Sequence, residues 1–373
     1  MKTFIFPSEF IDNKGGVAQS TLTLVRALSE TENYRVVVLS PKNSEMSRTL
    51  FPDNVINITT SRSRWIMSKC SLFGTMFTVL DIYLSVKNYL DKNSWVITNQ
   101  PVVSAIFSLL PCFNLNEIYV NRGGDFSDSG IASRIMRLKL KYQLPKCSIG
   151  ISQRQVDLLV SSGMPKDKVF LIHNGIATPS VNYPITILNK DYLRISTVGY
   201  ISDLKNQAEG VKLIKLLRES GVNAILNIYG VPDSDADYQK YINHLVKEYK
   251  LSSYINFCGY VTGENLYRST DVLISFSKSE GFGRTLVEGM LRNKPIIAWK
   301  GAGGPVDITN NGMYGYLVEN NKASEYLSVI LSLLKYPEDC ALNVKESYEF
   351  ALKKFSIDSM IDNYLEVFRH TCK

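Results

Sequence analysis

Short apolar runs alternate with amphipathic stretches along almost the whole chain, and this alternation limits the possible folds more than any other feature. Strand candidates in the first half are Thr3–Phe6, Arg35–Leu39, Val55–Ile58, Trp95–Thr98, Ile118–Asn121, Ser148–Ile151 and Val169–Ile172. Helical patterns such as Val17–Thr31 and Gln153–Ser162 lie between them. Strands separated by helices imply βαβ units and a parallel sheet. The rhythm stops over 177–191, where Pro179 and Pro184 sit in a stretch without periodicity. It restarts with Leu193–Val198, Ala224–Tyr229, Tyr254–Phe257, Val272–Ser275 and Pro295–Ala298. Helical patterns then follow over Asn321–Lys335, Pro337–Lys354 and Ile357–Arg369. The 373 residues suit two cores better than one. The reading is α/β: two doubly wound, Rossmann-like domains in tandem, over 1–178 and 192–355. Residues 179–191 act as linker, and 356–373 form a helix expected to return to the first domain. Ligands of such sheets bind beyond the carboxyl ends of the strands, so the site is expected in a cleft between the domains.

Charge separates the halves. Residues 1–178 hold 20 Lys+Arg against 13 Asp+Glu, a net +7, whereas residues 179–373 hold 22 of each. The first half is therefore expected to face something anionic. No nucleic-acid recognition motif accompanies the charge, so nucleic acid is disfavoured as that partner. The six cysteines include no CxxC pair and there are only three histidines. Zinc and a disulfide framework are both disfavoured, which fits a reducing cytoplasm. The opening MKTFIFPSEF lacks the apolar core of a signal peptide and reads as a first strand. Cys70–Val86 is the nearest approach to a membrane span, but Asp81 interrupts it and Lys69 and Lys87 flank it. It reads as a buried or interfacial helix.

The most informative motif is Ser279–Glu288, SEGFGRTLVE, which follows the strand Val272–Ser275 and opens a helix. Gly281 and Gly283 let backbone approach a ligand, and the N–H groups of a helix start favour an anionic oxygen. On spacing alone Glu280 also reads as a carboxylate at a helix start and Glu288 as a solvated helix residue. Lys294–Ala298 (KPIIA) and GAGGPVDI at 301–308 follow. Further segments are Lys14–Ala18 (KGGVA), Thr197–Gln207 (TVGYISDLKNQ), Ile228–Gly230 (IYG), Phe257–Val261 (FCGYV) and Gly315–Val318 (GYLV).

In that order these segments resemble the retaining glycosyltransferases of family 4, which have the GT-B fold. The resemblance implies a sugar-nucleotide donor as substrate, with no metal or other cofactor. It implies that Lys205 holds the diphosphate, that Glu288 accepts hydrogen bonds from the ribose hydroxyls, and that Glu280 faces the hexose. It also implies donor contacts from Gly15, Gly16, Tyr200, Gly230, Phe257, Gly259, Gly281, Phe282, Gly283, Arg284, Thr285 and Leu286. Two positions depart from the pattern. Tyr200 stands where the family usually has a phosphate-binding arginine, and the VNRGGD of 120–125 puts Arg122 where a histidine is usual. Arg122 is the candidate substitute, catalytic or phosphate-binding. Asp125 is an acceptor or sugar contact, or simply a turn residue.

Two basic segments in the first half suggest a membrane surface. Over Ile131–Tyr142, helical spacing puts Ile131, Ile135, Leu138 and Tyr142 on one face, with Arg134, Arg137 and Lys141 beside it. The apolar face is expected to pack on its own domain. RSRWIMSK, 62–69, places Trp65 between cations. The acidic DSDAD of 233–237 reads as capping at a helix start and not as a metal site. The expectation is a metal-independent transferase moving a hexose from a nucleotide diphosphate sugar, UDP-linked in preference to GDP-linked. The acceptor is a lipid-linked glycan of O-antigen or capsule synthesis, on the inner face of the cytoplasmic membrane. The rivals are a sugar-nucleotide epimerase of the same fold and a non-catalytic sugar-nucleotide-binding partner.

Overall fold

The computed structural model describes residues 2–7, 15–31, 34–40, 51–60, 72–108, 116–123, 131–142, 144–189, 191–233, 236–261 and 263–371. The chain divides into two compact units, Met1–Gly175 with Ile357–Lys373, and Ile176–Ser356. Arg62–Lys69, Asp125, and Ser234 and Asp235 of the DSDAD segment lie outside the described residues.

The first unit is built on seven parallel strands: β1 (Lys2–Pro7), β2 (Tyr34–Ser40), β3 (Ile56–Thr59), β4 (Ser94–Thr98), β5 (Asn116–Asn121), β6 (Cys147–Gly150) and β7 (Val169–Leu171). Their order is β3-β2-β1-β4-β5-β6-β7. The helices between them are α1 (Gly16–Ser29), α2 (Leu72–Val86), α3 (Pro101–Ser108), α4 (Ile131–Lys141) and α5 (Gln153–Ser161). Val36–Leu39 is completely buried because helices cover both faces of a parallel sheet, which is why it reads as a continuous apolar run. Helix α1 buries Ala18, Leu22, Val25 and Ser29, a stripe at three- and four-residue spacing.

The second unit has six parallel strands: β8 (Leu193–Val198), β9 (Ala224–Tyr229), β10 (Ile255–Gly259), β11 (Val272–Ser275), β12 (Ile296–Trp299) and β13 (Tyr316–Val318). They run in the order β10-β9-β8-β11-β12-β13. Around them lie α6 (Gln207–Glu219), α7 (Ala236–Glu248), α8 (Glu264–Arg268), α9 (Arg284–Met290), α10 (Gly304–Ile308), α11 (Ala323–Lys335) and α12 (Pro337–Lys354). Helix α13 (Ile357–Thr371) then joins the first unit, where Phe368 stacks on Phe4 at 4.4 Å between ring centres. In each sheet the strand order reverses once, between β1 and β4 and between β8 and β11. At such a point the loops leaving neighbouring strands go to opposite faces and open a crevice.

Residues 179–191, aperiodic in sequence, are held to the second unit by side chains. The Tyr183 hydroxyl donates to the Glu264 carboxylate. Asn293 Nδ2 donates to the Tyr183 carbonyl at 2.7 Å, and Lys294 Nζ to Thr186 Oγ1 at 3.0 Å.

The facing of α4 differs from the expectation. Met136, Lys139 and Leu140 are buried, whereas Leu138 and Tyr142 are 53% and 65% exposed. The helix is rotated because Lys139 is drawn inward: its ammonium meets Glu117 Oε2 at 2.5 Å and donates to Ser104 Oγ and the Ser104 carbonyl at 2.8 and 2.9 Å. Arg134, Arg137 and Lys141 are exposed and share the outward side with Leu138 and Tyr142.

Candidate functional site

The reversal between β8 and β11 brings charged side chains of two loops together. Beyond β8 the chain passes Gly199 and Tyr200 and turns through Asn206, whose φ of +53° is left-handed, into α6. Beyond β11 it runs through Phe276–Gly283 into α9. The two loops are joined by Lys278 N–H donating to the Leu204 carbonyl at 2.8 Å. This brings Lys205 Nζ to 2.5 Å from Glu280 Oε1, an oxygen that also accepts from Ser277 Oγ at 2.7 Å. The Lys205 and Glu280 side chains remain 25% and 15% exposed, so the pair borders solvent.

Glu280 is not a carboxylate at a helix start, since α9 begins only at Arg284. Its backbone is held between loops: its N–H donates to the Ala302 carbonyl at 2.9 Å, and its carbonyl accepts from Gly304 N–H at 3.2 Å. A Cβ on Gly304 would fall 2.2 Å from the Phe282 carbonyl oxygen, so this approach requires glycine. The glycine-rich run at 301–304 thus serves to fix the Glu280 loop.

Glu288 lies inside α9, a little over a turn on from Arg284. Its Oε2 accepts from the Tyr267 hydroxyl at 2.7 Å, and its Oε1 lies 3.6 Å from Arg284 Nη2. Burial lowers the Arg284 pKa, with Glu288 opposing the shift. Arg292 Nη1 donates to the Glu288 carbonyl at 3.0 Å, and Arg292 Nη2 meets Glu264 Oε1 at 3.1 Å.

The ends of β8, β9 and β10 form the adjoining surface. Gly230 N–H donates to the Gly259 carbonyl at 2.8 Å, and a Cβ on Gly230 would lie 1.9 Å from the Gly199 oxygen. Phe257, Tyr260 and Tyr200 are each about two-fifths exposed, at 41%, 44% and 42%. Burial first, and then the neighbouring Tyr200 and Glu288, push the Tyr260 phenol up. Gly281 and Thr285 complete the loop and helix start, and Phe282 and Leu286 are buried beneath them.

The remaining expected residues belong to the first unit. Gly15 precedes α1, and its carbonyl accepts from Gln19 N–H at 3.1 Å. Gly16 is the first residue of the helix. Arg122, just beyond β5, is buried, and its Nη1 donates to Asn174 Oδ1 at 2.6 Å. Asn174 lies three residues beyond β7 and is itself buried. Among the described residues no group of three or more His, Cys, Asp or Glu side chains is placed to hold a metal ion.

Sequence reasoning missed Tyr267, Ser277 and Arg292. Arg292 had a usable signal, four residues after Glu288 on a helical pattern. Tyr267 and Ser277 had none, because their partners are distant in sequence or lie across an irregular loop.

Residues 184–349 match the family model described as "Glycosyl transferases group 1". A poly(ribitol-phosphate) alpha-N-acetylglucosaminyltransferase of Staphylococcus aureus is 25% identical over 255 residues, covering 67% of this chain and 50% of that protein. The chain spans half the length or less of the first two curated relatives it matches. An uncharacterized 41.2 kDa protein in the cps region of Klebsiella pneumoniae is 20% identical, covering 95% of this chain and 97% of that one. The crystal structure of Anabaena Alr3699/HepE in complex with UDP and glucose superposes with a TM-score of 0.79 at 17% identity, covering 99% and 100% of the two chains. Two doubly wound parallel sheets and the superposition on the Anabaena structure show that the chain has the GT-B fold, and the match to the group 1 glycosyl transferase model falls within its second unit.

Proposed function

We propose that this protein is a retaining, metal-independent glycosyltransferase that moves a hexose from a nucleoside diphosphate sugar to a lipid-linked glycan acceptor. The observation that carries the reading is the Lys205–Glu280 pair at the β8/β11 switch point, in reach of solvent and inside the matched domain. A departing nucleoside diphosphate gains negative charge in the transition state, and a preset cation stabilises that charge without reorganising. In this reading Lys205 exchanges Glu280 for the diphosphate when donor binds. Glu280 then faces the hexose, and Glu288 accepts hydrogen bonds from the ribose hydroxyls. Charged acceptors of this kind make the strong, directional hydrogen bonds.

UDP is favoured as the carrier, supported by the Anabaena structure in complex with UDP and glucose. An acceptor in cell-surface polymer synthesis is supported by the Staphylococcus relative, described as acting on poly(ribitol-phosphate). A membrane-surface location is supported by the outward side of α4, where Arg134, Arg137 and Lys141 sit beside exposed Leu138 and Tyr142. No helix among the described residues is long and apolar enough to cross a membrane.

A thermal-shift panel of UDP- and GDP-sugars tests the donor. A ligand that binds only the native state stabilises it by about 2.7 kcal/mol at a hundredfold excess over Kd. No shift with any nucleotide sugar would refute the reading. NMR of the product anomer tests retention, and turnover in EDTA tests metal independence. A donor that is altered without any acceptor would identify an epimerase instead.

A further inference from the structure

We propose that Tyr267 is a positioning residue that sets the Glu288 carboxylate for a ribose diol and so makes the site prefer ribonucleotides to 2′-deoxyribonucleotides. This rests on the reading of Glu288 as the ribose acceptor. Tyr267 is 2% exposed, in the short helix α8, and its hydroxyl donates to Glu288 Oε2 at 2.7 Å. A buried phenol needs an acceptor, and a carboxylate supplies one. Burial first, and then the Glu288 charge, hold the Tyr267 phenol well above its ordinary value, so it stays a donor.

The ring is itself fixed. The Arg292 guanidinium lies over it at 4.3 Å from the ring centre. The same guanidinium donates to the Glu288 carbonyl at 3.0 Å and pairs with Glu264, in the same short helix, at 3.1 Å. Arg292 therefore ties the tyrosine and the glutamate to one another through both helices.

A glutamate side chain on a helix otherwise samples several rotamers, and its terminal torsion is broad. An ionised carboxylate offers about four lone-pair sites. The tyrosine occupies one and so fixes the plane of the rest. Two vicinal hydroxyls need that plane held, because both must find acceptor directions at once. A single hydroxyl finds one direction in many orientations. Removing the phenol oxygen should therefore penalise a diol more than a lone hydroxyl.

The experiment is calorimetric titration of UDP and 2′-deoxy-UDP, with the GDP pair in parallel, into wild type, Tyr267→Phe, Glu288→Gln and the double variant. Wild type should prefer the ribonucleotide by about tenfold. Tyr267→Phe keeps the ring over which Arg292 lies and should cut that preference to about threefold, mostly by weakening the ribonucleotide. The double variant should match Glu288→Gln. Equal weakening of both nucleotides, or an undiminished preference, would overturn the proposal while leaving Glu288 in its role. An undiminished preference in Glu288→Gln would instead overturn the parent reading. If Tyr267→Phe fails to fold, Arg292→Lys, which removes the planar tie, takes its place with the same expected loss of ribose preference.

Discussion

The two units share one architecture but place their polar groups at opposite depths. In the second unit two charged pairs stand beyond the carboxyl ends of the strands, partly open to solvent: Lys205 with Glu280, and Glu288 with Arg284. In the first unit the tightest ion pair among the described residues, Lys139 with Glu117, is closed under α3 and α4, with side chains 4% and 9% exposed. Every partner there is internal, because Glu117 Oε1 also accepts from Thr98 Oγ1 and Ser104 Oγ, each at 2.6 Å. Glu117 sits near the amino end of β5, away from the crevice side. Placement relative to the strand ends, more than the presence of a pair, separates a candidate for chemistry from a fixture of the fold. Charge follows the same division: the first unit holds 22 Lys+Arg against 16 Asp+Glu, and the second 20 against 19.

The contrast breaks most readily at Glu117. Glu117→Ala leaves a buried ammonium unpaired, a change that typically costs about 3–5 kcal/mol. Chemical denaturation should register it as a large stability loss. A stable protein that has lost turnover would reverse the assignment of the two clusters. Lys205→Ala should do the converse. Loss of a preset charge donor lowers turnover by about 10²–10³-fold, with the melting temperature nearly unchanged.

Glu288→Ala should weaken UDP by about 10- to 150-fold, from about 1.5–3 kcal/mol for hydrogen bonds to charged groups. Isothermal titration would read it, and an unchanged Kd would remove Glu288 from the site. The smallest effect sharpens the charge difference. Arg137→Gln should reduce sedimentation with phosphatidylserine vesicles by about fivefold, from about 1 kcal/mol per basic residue near an anionic surface. Because Leu138 and Tyr142 are exposed beside it, high salt should release the wild type only in part. Full release at 1 M salt would mean that these apolar side chains do not enter the lipid.

The fold was legible because a parallel sheet buried on both faces writes its strands as apolar runs. Leu193–Val198, Ala224–Tyr229 and Val272–Ser275 have the same bounds in sequence pattern and structure. β13 was harder to read: its three residues are too few for periodicity, and it showed only as the GYLV segment. On spacing alone Ser279 and Glu280 also read as a helix start, whereas α9 begins at Arg284. The loop instead stays extended so that Glu280 N–H can pair with Ala302. The facing of α4 was misread for a different reason. Hydropathy assigns lysine outward, and only the distant Glu117, 22 residues earlier, draws Lys139 in.

The discontinuity of the first unit bears on the order in which the protein forms during synthesis. Gly175 and Ile357 meet so closely that a Cβ on Gly175 would lie 2.8 Å from the Ile357 Cα, and Phe368 covers Phe4. Domains usually fold as units while the chain emerges, N-terminal first. Here the ribosome delivers α13 only after the whole of the second unit has been made. The second unit can therefore be complete while the first still lacks the helix that closes over β1. The nascent chain waits with Phe4 uncovered until α13 emerges.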